Sequence, residues 1–187
     1  MTSALQGQAN GRGAPSHDRV QSAALSFRLA GPGDLKPVLQ IYHDVGTWLH
    51  DAKGIADQWP REMPEDEALR MIHSNSLYLA VLNGEVAGAV QITRSGGEVW
   101  AGPEGDALYL HSLAVCRRFA GKGLGRAMLD WACILARSHG KGLLRLDCMY
   151  ENPALREYYC QAGFLLLGQH PTYSWYALLE KRLTIEE

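Results

Sequence analysis

Three glycines at alternate positions, Gly121, Gly123 and Gly125, stand among the cations Arg118, Lys122 and Arg126, directly after the apolar run Tyr109-Leu-His-Ser-Leu-Ala-Val115. Glycine lets backbone N–H groups approach a ligand closely. A helix that starts after such a turn adds unpaired N–H groups and the positive end of its dipole. The strand-turn-helix string therefore reads as an anion site, with phosphate the first ligand to consider. Two phosphate designs fit poorly. A P-loop requires Ser or Thr after its Gly-Lys, whereas Lys122 is followed by Gly123, and a dinucleotide fingerprint requires glycine where Arg126 stands.

A second segment lies about thirty residues further on: the strand candidate Leu143-Leu-Arg-Leu-Asp-Cys148, then Asn152-Pro-Ala-Leu-Arg-Glu-Tyr158-Tyr159-Cys-Gln-Ala-Gly163-Phe164. Asn152 can N-cap a helix with Pro153 at its first position, and Gly163 suits a left-handed stop. Arg118-x-x-Gly121-x-Gly123 after a strand ending Leu-Ala-Val resembles the acyl-CoA pyrophosphate loop of the GNAT acetyltransferase family. The Asn152 segment is similar to that family's second cofactor motif, in which an Asn opens a helix, a Tyr follows seven residues later, and Gly-Phe ends it. Asn152, Tyr159, Gly163 and Phe164 occupy those places.

The resemblance implies acetyl-CoA as co-substrate, with pantetheine entering between two parallel strands that splay apart. It implies that the backbone along Leu113, Ala114 and Val115 bonds the acetyl carbonyl and pantetheine. The N–H groups of Gly121, Lys122, Gly123, Leu124, Gly125 and Arg126 would hold the pyrophosphate, and the side chains of Arg118, Lys122 and Arg126 could pair with phosphates or simply be solvated. Asn152 is either a cap or a pantetheine contact. Tyr159 would protonate the departing thiolate, and Tyr158, about 100° away around a helix, would serve in packing.

Acetyl transfer to an amine needs a neutral nitrogen, so a base must be found. Strand alternation puts His111 on the same side as Tyr109, Leu113 and Val115, and the string is similar to the His-x-His strand of serotonin N-acetyltransferase-like members, with Tyr109 in place of the first His. His111 is the candidate base, or else lines the pocket; the phenol of Tyr109 titrates too high to serve near neutrality. Cys116 or Cys148 would suggest a covalent acetyl-cysteine route, but neither has a base nearby in sequence, so direct transfer in a ternary complex is expected.

The elements that must position these groups follow from periodicity. A strand at Leu25–Ala30 and the turn Gly31-Pro-Gly-Asp34, with Asp34 as a cap, lead into a helix carrying Leu35, Val38, Leu39, Tyr42, Val45 and Leu49 on one face. A second helix follows Pro64, and Asn83-Gly84 joins the strands Leu77–Leu82 and Glu85–Thr93 as a hairpin. A helix over about 123–139 stripes Leu124, Met128, Trp131 and Leu135, and two strands close the chain. The order βααβββαβαββ predicts an α/β (α+β) fold: one GNAT-like domain over residues 25–187 with a mixed central sheet. Residues 1–24 read as a disordered tail.

The chain has 187 residues, 47% of them hydrophobic, and a net charge of −2, which gives no electrostatic reason to expect nucleic-acid binding. Four cysteines and seven histidines fall into no metal-ligand spacing, and no membrane span or signal peptide is seen, so reduced thiols, no metal and a cytoplasmic location are expected. Trp48, Trp59, Trp100, Tyr173, Trp175 and Tyr176 could wall an acceptor pocket, and Asp51, Glu65 or Glu98 could attract a cationic amine. The leading expectation is an N-acetyltransferase for a small-molecule primary amine. A protein or peptide acceptor and a non-catalytic acyl-CoA-binding module are the alternatives, and the resemblance also allows a homodimer.

Overall fold

The computed structural model describes residues 24–53, 59–100 and 105–184, so nearly all of the expected N-terminal tail lies outside the described residues. Its elements are β1 (Leu25–Leu29), α1 (Leu35–Lys53), α2 (Glu65–His73), β2 (Leu77–Leu82), β3 (Glu85–Thr93), β4 (Ala107–Val115), α3 (Leu124–Ser138), β5 (Leu143–Met149), α4 (Pro153–Gln161), β6 (Leu165–Gln169) and β7 (Tyr176–Arg182). The order is the one the periodicity predicts. The strands form one mixed sheet in the order β1-β2-β3-β4-β5-β7-β6, antiparallel throughout except for the pair β4–β5.

Each face of the sheet carries its own core. On one, Val38, Ile41, Tyr42 and Val45 of α1 and Ala68, Met71 and Ile72 of α2 pack on Leu77, Leu79, Ala89 and Ala114. On the other, Met128, Leu129, Ala132 and Ala136 of α3, with Tyr159 of α4, pack on Val90, Leu108, Leu110, Leu144 and Leu146. Trp131 and Leu135 flank the buried face of α3 rather than centring it. Trp131 is half-buried because it stacks on Phe27 at the sheet edge, rings 4.6 Å apart.

The turns follow local chemistry, with one departure. Asn83 and Gly84 both take positive φ, 53° and 84°, as a two-residue hairpin turn demands. Asp34 does not cap α1 in the forward direction. Its carboxylate reaches back to the Gly31 N–H at 2.8 Å and to Arg28 at 2.6 and 2.8 Å, because the strand that precedes the turn supplies the nearer cation.

Gly46 sits inside α1 for a packing reason: a methyl there would overlap the carbonyl oxygens of Pro60 and Arg61, which cross directly over the helix. Gly46→Ala should gain about 1 kcal/mol of helix propensity and lose about 1–3 kcal/mol to overpacking, so a net destabilisation is expected. A lowered denaturation midpoint checks this; a raised one would mean that the crossing segment gives way freely.

Candidate active site

β4 and β5 pair only from Ala107–Leu110 against Leu143–Leu146, and past that point the strands part. The cause lies in β4. Pairing with β3 steps from Gln91–His111 to Ala89–Ala114, so β4 holds one extra residue, and Ser112 there takes φ +50°. The fully buried Tyr42 of α1 donates its hydroxyl hydrogen to the Ser112 carbonyl at 2.8 Å and fixes the bulge.

The bulge corrects one expectation from the sequence. His111 shares a face with Tyr109 but not with Leu113 and Val115, because the extra residue reverses the alternation between them. Leu113 and Val115 pack towards α3, while Ala114 is buried against α1. The Cys116 N–H bonds the Ala87 carbonyl at 2.9 Å, so antiparallel alternation turns the backbone groups of Val115 and Leu113 towards the open side of the gap. Ala114, between them, is turned to β3 instead and has no backbone group free for a ligand.

A single 3-10 turn over Arg117–Phe119 leads from β4 into the glycine loop. Gly121 and Gly123 adopt φ +75° and +76°, and Gly123 is the N-cap of α3. Ala127 is the first residue to donate back along the helix, to the Gly123 carbonyl at 3.1 Å, so the N–H groups of Leu124, Gly125 and Arg126 remain at an open helix start. The cations stand at the rim. Arg118 pairs with Glu85 at 3.0 Å, Arg126 donates to the Gln161 carbonyl at 2.8 Å and pairs with Asp130 at 3.3 Å, and Lys122 lies over the Phe119 ring. This loop has the build to bind a polyanion through its backbone.

α4 brings two adjacent tyrosines to different places. Asn152 caps the helix, its Oδ1 accepting the Leu155 N–H at 3.0 Å. Tyr158 lays its hydroxyl against α3, 2.7 Å from where a Cβ on Gly125 would stand. Tyr159 instead turns into the α3-side core with 8% of its surface exposed, its charge environment set by Cys148, Tyr158 and Asp147. Desolvation raises the pKa of Tyr159 far above that of a free phenol, and its hydroxyl has no hydrogen-bond partner among the described residues. It is a protonated donor with no acceptor among the described residues.

His111 approaches from the other face. The Thr93 hydroxyl gives its only hydrogen to the Ser95 carbonyl at 2.6 Å, so towards His111 Nε2, 3.1 Å away, it can only accept. That network assigns the neutral ring's hydrogen to Nε2 and leaves the Nδ1 lone pair available. Burial pushes the His111 pKa down, opposed by the nearby Asp147. The imidazole is therefore held in the unprotonated form that a base needs.

The structure adds residues that sequence reasoning missed. Arg145 of β5 donates to Glu180 of β7 at 2.8 Å and to the Tyr109 hydroxyl at 3.3 Å, with its guanidinium over the Trp100 ring. Asp147, two residues on, is pushed up in pKa by burial and drawn down by His111 and the Trp100 indole. That N–H comes near the carboxylate without closing a full hydrogen bond. The aromatic residues divide. Trp100 joins this cluster, and Tyr173, Trp175 and Tyr176 form a ring series with Tyr173 bonded to Glu98 at 3.0 Å. Trp48 instead lies under Arg117 and Trp59 against Tyr42; Asp51 is paired with Arg61, and Glu65 opens α2. Among the described residues, no cluster is placed to hold a metal ion and no helix is long and apolar enough to cross a membrane.

Comparison with known proteins takes in the segments that hold the gap, the glycine loop and the tyrosine helix. The family model for acetyltransferases of the GNAT family matches residues 41–164. The chain is 35% identical over 162 residues to the uncharacterized N-acetyltransferase YesJ of Bacillus subtilis (strain 168), an alignment covering 82% of this chain and 87% of that protein. A GNAT-family acetyltransferase of Listeria monocytogenes 4b F2365 superposes with a TM-score of 0.69 at 25% identity, over 85% of this chain and 95% of that one. The fold also matches YncA from Salmonella typhimurium, solved with its cofactor acetyl-CoA, at a TM-score of 0.63 and 23% identity, over 88% and 95% of the two chains. With a family match spanning the loop, the gap and the Tyr159 helix, this chain belongs to the GNAT family of acetyltransferases.

Proposed function

We propose that this acetyltransferase moves the acetyl group of acetyl-CoA directly onto the nitrogen of a small primary amine, with both substrates bound together where β4 and β5 part. This reading is supported by His111 and Tyr159, which both lie near Asp147 where the strands part and belong to opposite faces of the sheet, the first able to accept a proton and the second able to give one. In the transfer, the amine nitrogen bonds to the carbonyl carbon and the carbon–sulfur bond breaks. The nitrogen's proton goes to His111 Nδ1, and the Tyr159 hydroxyl protonates the departing sulfur. The open backbone groups at Leu113 and Val115 suit the acetyl and pantetheine amides, and the helix start after Gly123 suits the pyrophosphate.

The cysteines support direct transfer. Burial pushes the Cys148 thiol up to about 12, and Cys116 is raised too, so neither is a ready thiolate nucleophile. Initial rates measured with acetyl-CoA and amine both varied should give intersecting double-reciprocal lines. Parallel lines would mean that an acetyl-enzyme forms first and would overturn the ternary reading.

The loop makes a separate prediction. A Cβ at Gly123 has no protein atom within 4 Å, so the penalty comes from φ +76° and from the ligand's approach. A β-branched residue held there costs roughly 1–2 kcal/mol or more, whereas Asn tolerates that region. Gly123→Val should weaken acetyl-CoA binding about tenfold or more, and Gly123→Asn less. Equal, unchanged affinities for both by calorimetry would remove the loop from the acetyl-CoA site.

A further inference from the structure

One half-buried carboxylate on the His111 side of the gap has no part in the proton transfers above. Asp147 follows Leu146, the last β5 residue paired with β4, and in the parallel register it stands level with His111, at the start of the gap. Its side chain shares the sheet face of His111, Tyr109 and Arg145. Among the described residues its carboxylate forms no ion pair. Arg145, the cation nearest to it along the strand, is already held by Glu180 at 2.8 Å, both side chains being largely buried. The remaining neighbours are the imidazoles of His111 and His170 and the indole of Trp100. His170 uses Nδ1 to accept the Thr172 and Tyr173 N–H groups at 3.1 and 2.8 Å. A carboxylate largely withdrawn from water and left without an ion pair costs stability that an apolar residue would not. The position makes physical sense if a cation arrives from outside.

We infer that Asp147 anchors the ammonium of the acceptor, which confines the acceptor to primary amines that bear no carboxylate beside the nitrogen. This rests on the reading of the gap as the acetyl-transfer site and extends it to the substrate class. An ammonium seated there donates one N–H to Asp147 and presents another to His111 Nδ1. The first proton passes through His111 Nδ1 to solvent and frees the neutral amine; the second, released as the nitrogen bonds the carbonyl carbon, goes to the same Nδ1 while Tyr159 protonates the sulfur, and each imidazolium so formed lies beside the Asp147 carboxylate. An α-amino acid in the same pose would bring a second carboxylate up to Asp147, with Arg145 already engaged. Like charges in a water-poor site repel strongly.

The test compares each amine with the amino acid that differs only by the carboxylate: 3-methylbutylamine with leucine, and 2-phenylethylamine with phenylalanine. Thiol release by the full chain should show kcat/KM for the amines higher by roughly 100-fold or more, the scale set by bringing like charges together at a binding site. Asp147→Asn, which keeps shape and removes charge, should raise the amine KM about tenfold or more, leave the acetyl-CoA KM within about twofold and narrow the preference over the amino acid; Asp147→Glu should restore part of it. Leucine or phenylalanine accepted as well as its amine by the wild type overturns the inference alone. So does an Asp147→Asn variant that loses kcat at unchanged amine KM, which would make Asp147 a positioning residue for His111. Absence of thiol release with every amine overturns the transfer reading and this inference with it.

Discussion

Tyr159→Phe is expected to lower kcat roughly tenfold or more while the fold and acetyl-CoA affinity persist, since only a proton donor is removed. The departing sulfur needs a proton, and Tyr159 holds one firmly: burial keeps its phenol protonated, and no acceptor among the described residues competes for the hydrogen. Its ring stays packed against Phe164 and Tyr158 in the variant, so loss of the oxygen leaves the core intact. Tyr158→Phe is the internal control. That hydroxyl rests on Gly125 at the start of α3, away from the Cys148 and Asp147 end of the gap, so the damage should be much milder. Steady-state kinetics of the two variants decide the matter, and the reverse order of damage would transfer the role to Tyr158.

His111→Gln should reduce turnover at neutral pH by roughly 10–1000-fold, and the deficit should shrink as pH rises. The sign follows from two titrations. Burial lowers the pKa of His111 below that of a free imidazole, so the wild type keeps its base at neutral pH and loses it only as the pH falls through that lowered value. An alkyl amine titrates in the opposite part of the scale, near the lysine range, and supplies its own neutral form as pH rises, which makes the base progressively dispensable. Gln preserves a hydrogen-bonding side chain towards Thr93, so packing changes little. A pH-independent deficit with a raised amine KM would return His111 to the lining of the pocket.

The parts of the site that were legible in the sequence are those set by neighbours along the chain. Gly121 and Gly123 announce a turn and a helix start because few other residues accept those dihedrals, and Asn152-Pro153 announces a cap through its own side chain. The element order followed from periodicity for the same reason. What stayed hidden depends on partners far away. The bulge at Ser112 is fixed by Tyr42, 70 residues earlier, and by the register against β3, so alternation counted along β4 alone assigned His111 the wrong companions. Nothing in the sequence around Arg145 and Asp147 sets them apart from the rest of their strand. Only the pairing of Arg145 with Glu180, 35 residues on, leaves Asp147 beside a cation already engaged, with no ion pair of its own among the described residues.

The bulge also explains how one strand can serve two unlike substrates. β4 is in effect read in two frames, with Ser112 as the shift between them. Before it, the side chains of Tyr109 and His111 share one face, and in the proposed reading His111 is the one that meets the acceptor. After it, the side chains of Leu113 and Val115 return to the core, and what the strand offers is the unpaired backbone on its edge. Chemistry that varies with the acceptor is thus written in side chains, and recognition that must stay constant is written in the peptide itself. One misplaced residue separates the two, so acceptor specificity can change by substitution before Ser112 without disturbing how the acyl donor is held.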